Sequence, residues 1–357
     1  MTRWLPFVGA LLMAVGEAGG SDVFQITAGP SESAVAVSGT LVAWKDRRGD
    51  EWNIYAKDLA TGVEFPVCTA PEYQGGPTIK SGLIAWNDSR NGNWDVYGYD
   101  LTAGREVPLV VGPDPALSPA LDGGVLVWST GTYEGDDVTG DIRAMDLASG
   151  RHFPICEALW GQAVPRISGN LVVWTDARHS AWNVEWDIYA YDLATGTEFA
   201  VCTLPHPQVE PDVSGHIIVW RDHREEIGWD IWGMDLTTGT EFPICTNEAE
   251  QSNPVIDGDL VVWMDRRNGD GDIYGYDLAK GVEFPICIAP GEQFFPAISG
   301  NLVVWEDYHG GPRNIYGAYV PEPATLALLA AGAGVGLALR RQAAAALTSR
   351  RAPPLRE

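Results

Sequence analysis

Residues Ile298-Ser299-Gly300-Asn301-Leu302-Val303-Val304-Trp305-Glu306-Asp307 decide the fold. A β-branched residue leads into a Ser-Gly turn, and the apolar run that follows ends on tryptophan. This is the pattern of two short strands joined by a tight hairpin. The same phrase recurs upstream. Trp44, Trp86, Trp128, Trp174, Trp220, Trp263 and Trp305 each close a short apolar run, at spacings of 42, 42, 46, 46, 43 and 42 residues. Between copies stand two further runs, seen at Asp272-Ile273-Tyr274-Gly275-Tyr276 and Glu283-Phe284-Pro285-Ile286-Cys287. Each repeat therefore holds four strands, A to D in chain order. Four antiparallel strands per ~43 residues is the period of a β-propeller blade.

Strands B and C each occur seven times, the last C strand being Asn314 to Tyr319, but only six D strands lie between them. The missing one is predicted at the other end, at Val23-Phe24-Gln25-Ile26-Thr27, with the next A strand from Ala34. The expected fold is all-β: a seven-bladed propeller over residues 19–320, closed by its N-terminal strand. Closure hides sheet edges that would otherwise pair with other chains.

The 357 residues include 48 acidic and 23 basic side chains, a net charge of −25. That excludes nucleic acid as a partner, because phosphate binding needs a basic footprint. Cys68, Cys156, Cys202, Cys245 and Cys287 all occupy the same place in strand D. Equivalent places in different blades exceed the ~7 Å Cα separation a disulfide allows. Five reduced, buried thiols are expected.

Both ends lie outside the propeller. Met-Thr-Arg, an apolar stretch from Trp4 to Gly16 and small residues up to Ala18 have the form of a secretory signal peptide over residues 1–18, cleaved after Ala18. The far end reads Val320-Pro321-Glu322-Pro323, an uncharged apolar run from Ala324 to Leu339, then Arg340-Arg341. As a helix the run is about 24 Å long, short of the ~30 Å hydrocarbon core, and it spans with its flanks or by thinning the bilayer. A single transmembrane helix over 324–339 is expected, with Arg340 and Arg341 on the cytoplasmic side.

Residues 321–341 resemble the PEP-CTERM sorting signal through Pro321, Glu322, Pro323, Arg340 and Arg341. The resemblance implies export by a Gram-negative bacterium that makes extracellular polysaccharide. It also implies initial anchoring in the inner membrane and processing at the tripeptide by an exosortase, a transpeptidase-like membrane enzyme. Such chains usually end just after the basic cluster, whereas here a short basic tail, 342–357, follows. The repeat itself, as in Leu171-Val172-Val173-Trp174-Thr175-Asp176-Ala177-Arg178 and Asp187-Ile188-Tyr189-Ala190-Tyr191-Asp192-Leu193-Ala194-Thr195-Gly196, resembles the TolB-like propeller repeats of cell-surface proteins. That implies fold, not function.

The A–B and C–D turns are short and uniform, while the B–C and D–A loops vary, the longest being Ser129 to Gly140 and Asp176 to Trp186. A site is therefore expected on the B–C/D–A face. Trp52, Trp94, Trp186 and Trp229 each precede the first residue of strand C. With Trp182 they either form an aromatic platform for sugar rings or pack the loops. Gln74, Gln162, Gln208, Gln251 and Gln293 each stand three before the Pro of strand A. They either bind a polar ligand or satisfy backbone groups between blades.

Five repeats end strand B in Asp-x-Arg: Asp46/Arg48, Asp88/Arg90, Asp176/Arg178, Asp222/Arg224 and Asp265/Arg267. These pairs are expected to pin the B–C turn, for little energy if exposed. The alternative is a calcium site using Asp95, Asp187, Asp230 and Asp272, but no EF-hand spacing is present and no cofactor is expected. The six His residues do not recur in register, and no nucleophile elbow, His-Glu-x-x-His or phosphate loop occurs. The reading is an exported, surface- or matrix-associated, non-enzymatic propeller that binds extracellular polysaccharide or a surface protein. The alternative is a propeller lyase or hydrolase with an axial His/metal site.

Overall fold

The computed structural model describes residues 22–29, 31–134, 137–179, 185–224, 228–309 and 311–320. Ala18, Trp182, the sorting residues and the 324–339 helix lie outside the described residues. Among the described residues, no helix is long and apolar enough to cross a membrane.

Seven four-stranded antiparallel sheets form the ring. The first six blades run in A-B-C-D order over residues 32–68, 74–110, 116–156, 162–202, 208–245 and 251–287. The seventh combines Gln293–Ser299, Leu302–Asp307 and Asn314–Tyr319 with the N-terminal strand Val23–Gln25. Val23 pairs with Ala318 and Gln25 with Tyr316, so the propeller's two ends share one sheet. The predicted strand extended to Thr27. Regular pairing stops at Gln25, yet Ile26 N and Thr27 N still donate to the Ile315 carbonyl, at 2.8 and 3.3 Å. An extra hairpin, Thr132–Glu134 with Asp137–Thr139, rises from the third blade's B–C connection, which residue pattern alone reads as loop.

The core lies between blades. Trp174 packs on Ile142, Ile155 and Cys156 of the preceding blade, and Trp44 on Ile26 and Ile315 of the seventh. Six of the repeated Trp rings have no exposure at all, and Trp128 keeps 3%. Near the axis, the last residue of strand A accepts from the A–B turn of the next blade. Gly169 N donates to Asp122 at 2.8 Å, and Gly39 N donates to Ser299 at 2.9 Å across the closure. Each strand A also carries a bulge. Ala34, Gly76, Ser118, Val164, Glu210, Asn253 and Phe295 all have φ between +50 and +61°. Six of these are not glycine, so the ring stores backbone strain. No sequence signal beyond the proline that follows most of them marks this.

The Asp-x-Arg pairs do more than pin an exposed turn. The five Asp side chains are fully buried. The indole N–H of Trp174 donates to Asp176 at 2.8 Å, and the same bond recurs for Trp44, Trp86, Trp220, Trp263 and Trp305. Arg178 then donates to Asp176 at 2.7 Å and to Glu198 of strand D at 2.5 Å. Its guanidinium lies 3.9 Å from the Tyr189 ring centroid. It also reaches Cys156 of the preceding blade at 3.1 Å. Arg90–Cys68 and Arg267–Cys245 repeat that contact at 3.0 and 3.1 Å. The networks of Arg90, Arg178, Arg224 and Arg267 thus tie strands B, C and D of one blade to strand D of its neighbour. The five thiols are free and buried, and burial pushes each up to about 12. They are neutral packing groups, not nucleophiles.

Candidate functional site

The B–C/D–A face carries an aromatic cluster on the first two blades, and Phe294, Phe295 and Tyr308 form another on the seventh. Trp52 precedes strand C of the first blade, Tyr73 ends the following D–A loop, and Trp94 precedes strand C of the second. Trp52 and Tyr73 stand 6.5 Å apart, and Tyr73 meets Trp94 edge-on at 5.4 Å. Lys45 Nζ lies 4.4 Å from the Trp52 ring and donates to Tyr73 Oη at 2.7 Å. All three rings are half-buried, so each keeps an accessible face. Gly75 makes the cluster possible, because a Cβ there would stand 2.6 Å from the Tyr73 ring. Tyr73 and Lys45 were not singled out from sequence. Their signal is that only this D–A loop places an aromatic residue directly before the repeated Gln.

The expected platform is not continuous. Trp229 belongs to a separate group, 4.9 Å from His223 and 4.2 Å from Arg221, which pairs with Glu250 at 2.5 Å. Trp186 joins neither group. The four Trp share a backbone role instead: their carbonyls accept from the first amide of the next strand A, as in Gln208 N to Trp186 O at 2.6 Å.

The five Gln side chains are buried and turned into their own D–A loops. Gln74 Nε2 donates to Pro71 O and Glu72 O at 3.1 and 3.0 Å, and Gln251 Nε2 to Ala249 O at 2.6 Å. The residue two before the Gln has positive φ in Glu72, Trp160, His206 and Gly291, which aims its carbonyl at the amide.

The axial channel, about 430 Å³, is lined by strand A and by no histidine among the described residues. His179 Nδ1 stands 2.8 Å from Asp187, and His309 Nδ1 is 2.9 Å from the Pro290 carbonyl. Asp95 accepts from Asn91 at 2.7 Å and Asp272 from Asn268 at 2.7 Å. Among the described residues, no three His, Cys, Asp or Glu side chains are grouped as a metal centre requires.

Burial raises several carboxyls above their ordinary range: Glu32, Asp187, Asp272, Glu306 and Asp307. A raised folded-state pKa contributes stability below the unfolded value that is lost as pH climbs through the folded value. Asp265 runs the other way. Burial opposes its ionisation, but donation from Arg267 and Trp263 wins and holds it low. Its contribution is lost only as pH falls below the ordinary carboxylate range. Thermal unfolding is therefore expected at a higher temperature near pH 5 than at neutral pH, with about 1.4 kcal/mol per unit of elevation per group. A flat or rising profile from about pH 5 to neutral would contradict these elevations.

Fold and site together define a closed seven-bladed β-propeller with an aromatic loop face. Residues 320–342 match the PEP-CTERM protein-sorting motif, which marks an exported cell-surface protein of Gram-negative bacteria, processed by exosortase and anchored in the membrane. No curated protein shows significant similarity to the chain. Solved structures share the fold. Oligogalacturonate lyase from Vibrio parahaemolyticus superposes with a TM-score of 0.66 at 12% identity, covering 85% of this chain and 94% of that one. An oligogalacturonate lyase in complex with manganese gives 0.63 at 14%, with the same coverage. The propeller domain of the Trilobed protease from Pyrococcus furiosus gives 0.65 at 14%, covering 81% and 95%. That domain has an open velcro topology, whereas Val23–Gln25 closes this ring.

Proposed function

We propose that this is a non-enzymatic, surface- or matrix-associated propeller that binds extracellular polysaccharide through its B–C/D–A face. The Trp52–Tyr73–Trp94 cluster with Lys45 carries the reading. Tilted rings present apolar surface to the C–H face of a sugar, and a neighbouring ammonium donates to its oxygens. The sorting motif supports the address, since it directs the protein to where such polymers lie. The strong negative charge keeps the protein soluble there.

The test is co-sedimentation with the producer's extracellular polysaccharide, together with an assay of the supernatant for released sugar. The protein is expected in the pellet with no sugar released. Trp52→Ala/Trp94→Ala is expected to weaken binding by about tenfold or more, as loss of an aromatic anchor does. Released sugar would replace binding with lyase or hydrolase activity, and unchanged pelleting of the double variant would move the site off this cluster.

A further inference from the structure

The third blade breaks, at five aligned places at once, the network that five of the other six blades keep. Thr130 pairs with Ala116 where Asp46 pairs with Glu32, so a hydroxyl stands at the carboxylate's position. Arg143 faces Trp128 where the other six blades place Tyr or Trp. His152 takes the place of the strand-D Glu, and no Arg follows at the Asp-x-Arg position. On the facing blade, Val110 stands where four of the other five internal D strands end in the Cys that an Arg reaches.

These exchanges open a cavity of about 760 Å³ between the second and third blades, walled by the 110–115 loop and by Trp128, Thr130, Arg143 and His152. Its size suits a small ligand. Trp128 is 97% buried by its 3% exposure, and His152 meets its ring edge-on at 5.4 Å. Six repeated indoles donate to an Asp, but among the described residues that of Trp128 has no acceptor. Arg143 is held at the rim through Nη2 alone, by Asp141 at 3.1 Å and Glu157 at 2.7 Å. Its Nε and Nη1 keep their donors. The cavity thus retains the indole donor of the repeated network, gains a guanidinium from a different position and lacks the carboxylate of Asp46 and its equivalents; the carboxylates in its lining are Asp114 and Asp141.

We propose that this cavity is a ligand site for a carboxylate group carried on a molecule of about monosaccharide size, bound by the Trp128 indole N–H and the Arg143 guanidinium. The ligand's carboxylate would occupy the place that Asp46 and its equivalents fill elsewhere. Charge-assisted bonds of this kind are the strong ones. The proposal does not rest on polysaccharide binding by the Trp52 cluster, and its test reads a different residue.

The test follows the Trp128 indole proton by NMR in the full chain carrying isotope-labelled tryptophan, its resonance assigned by its loss in Trp128→Phe. Methyl glucuronide is expected to shift that resonance to saturation, and methyl glucoside to leave it unmoved. A shift by acetate as well supports recognition of the carboxylate itself. Thr130→Asp restores the repeated carboxylate and is expected to weaken glucuronide binding by about tenfold or more; Arg143→Gln, at the rim, is expected to do the same. Equal shifts by glucoside and glucuronide would overturn the proposal. So would no shift with either carboxylate, or undiminished affinity in Arg143→Gln.

Discussion

Asp222→Ala is expected to lower stability by about 3–5 kcal/mol, because it removes one partner from a buried ionic network and strands the others. Asp222 has no exposure and accepts from the Trp220 indole at 2.8 Å and from Arg224 at 2.6 Å. Arg224 is itself only 14% exposed and also bonds to Glu241, which would keep one carboxylate beside it but not the indole. The loss therefore has three parts: an unpaired indole N–H, a half-paired guanidinium and a cavity under the Trp220 ring. Asp307 supplies the contrast. It accepts from Trp305 at 3.2 Å and from His309 N at 2.6 Å, with no Arg on it, and burial raises its carboxyl. Asp307→Asn keeps an acceptor and sheds a poorly compensated charge, so a change within about 1 kcal/mol is expected. Chemical denaturation of both variants checks the pair. Equal effects would mean that the Arg does not set the energetics.

The contrast also shows what the sequence could and could not disclose. The Trp spacing disclosed the blades, and the missing D strand disclosed where the ring closes, because strand period and strand count are properties of the chain alone. The identical placement of the five Cys was enough to exclude disulfides. The burial of Asp46 and its equivalents was not legible, because Asp-x-Arg at a strand end reads the same whether water or a neighbouring blade covers it. The Gln residues posed the same difficulty. Their register was plain, but the direction of the amide depends on the positive φ of residues such as Glu72 and Trp160, which carry no side-chain signature. Likewise, four Trp at one repeat position suggested a platform. The site depends instead on Tyr73, Lys45 and Gly75, each present at its place in one repeat only.

Deleting residues 22–27 is the second large perturbation, and it separates closure of the ring from the stability of its blades. The segment supplies the outer strand of the seventh blade and buries Ile26, 3% exposed, against Trp44 of the first. It also satisfies backbone on both sides of the seam. Ile315 N donates to Thr27 Oγ1 at 2.9 Å, and Lys57 Nζ of the first blade donates to the Ile26 carbonyl at 2.7 Å. Losing one buried aliphatic side chain, several ladder bonds and the seam contacts together is expected to cost on the order of 5 kcal/mol. It also leaves Asn314–Tyr319 as an unpaired edge, which templates association with other chains. The truncated protein is therefore expected to melt earlier and to form concentration-dependent oligomers in sedimentation. A synthetic peptide of residues 22–31 should reverse both effects, since strand addition restores the same ladder. Ile26→Ala, which keeps the backbone pairing and removes most of the buried side chain, should fall between the two. If the deletion melted with the full chain and stayed monomeric, the contact of Gly39 with Ser299 and the packing of Val37 and Val42 against Leu302 and Val304 would be sufficient to hold the ring, and the N-terminal strand would be a cover and not a clasp.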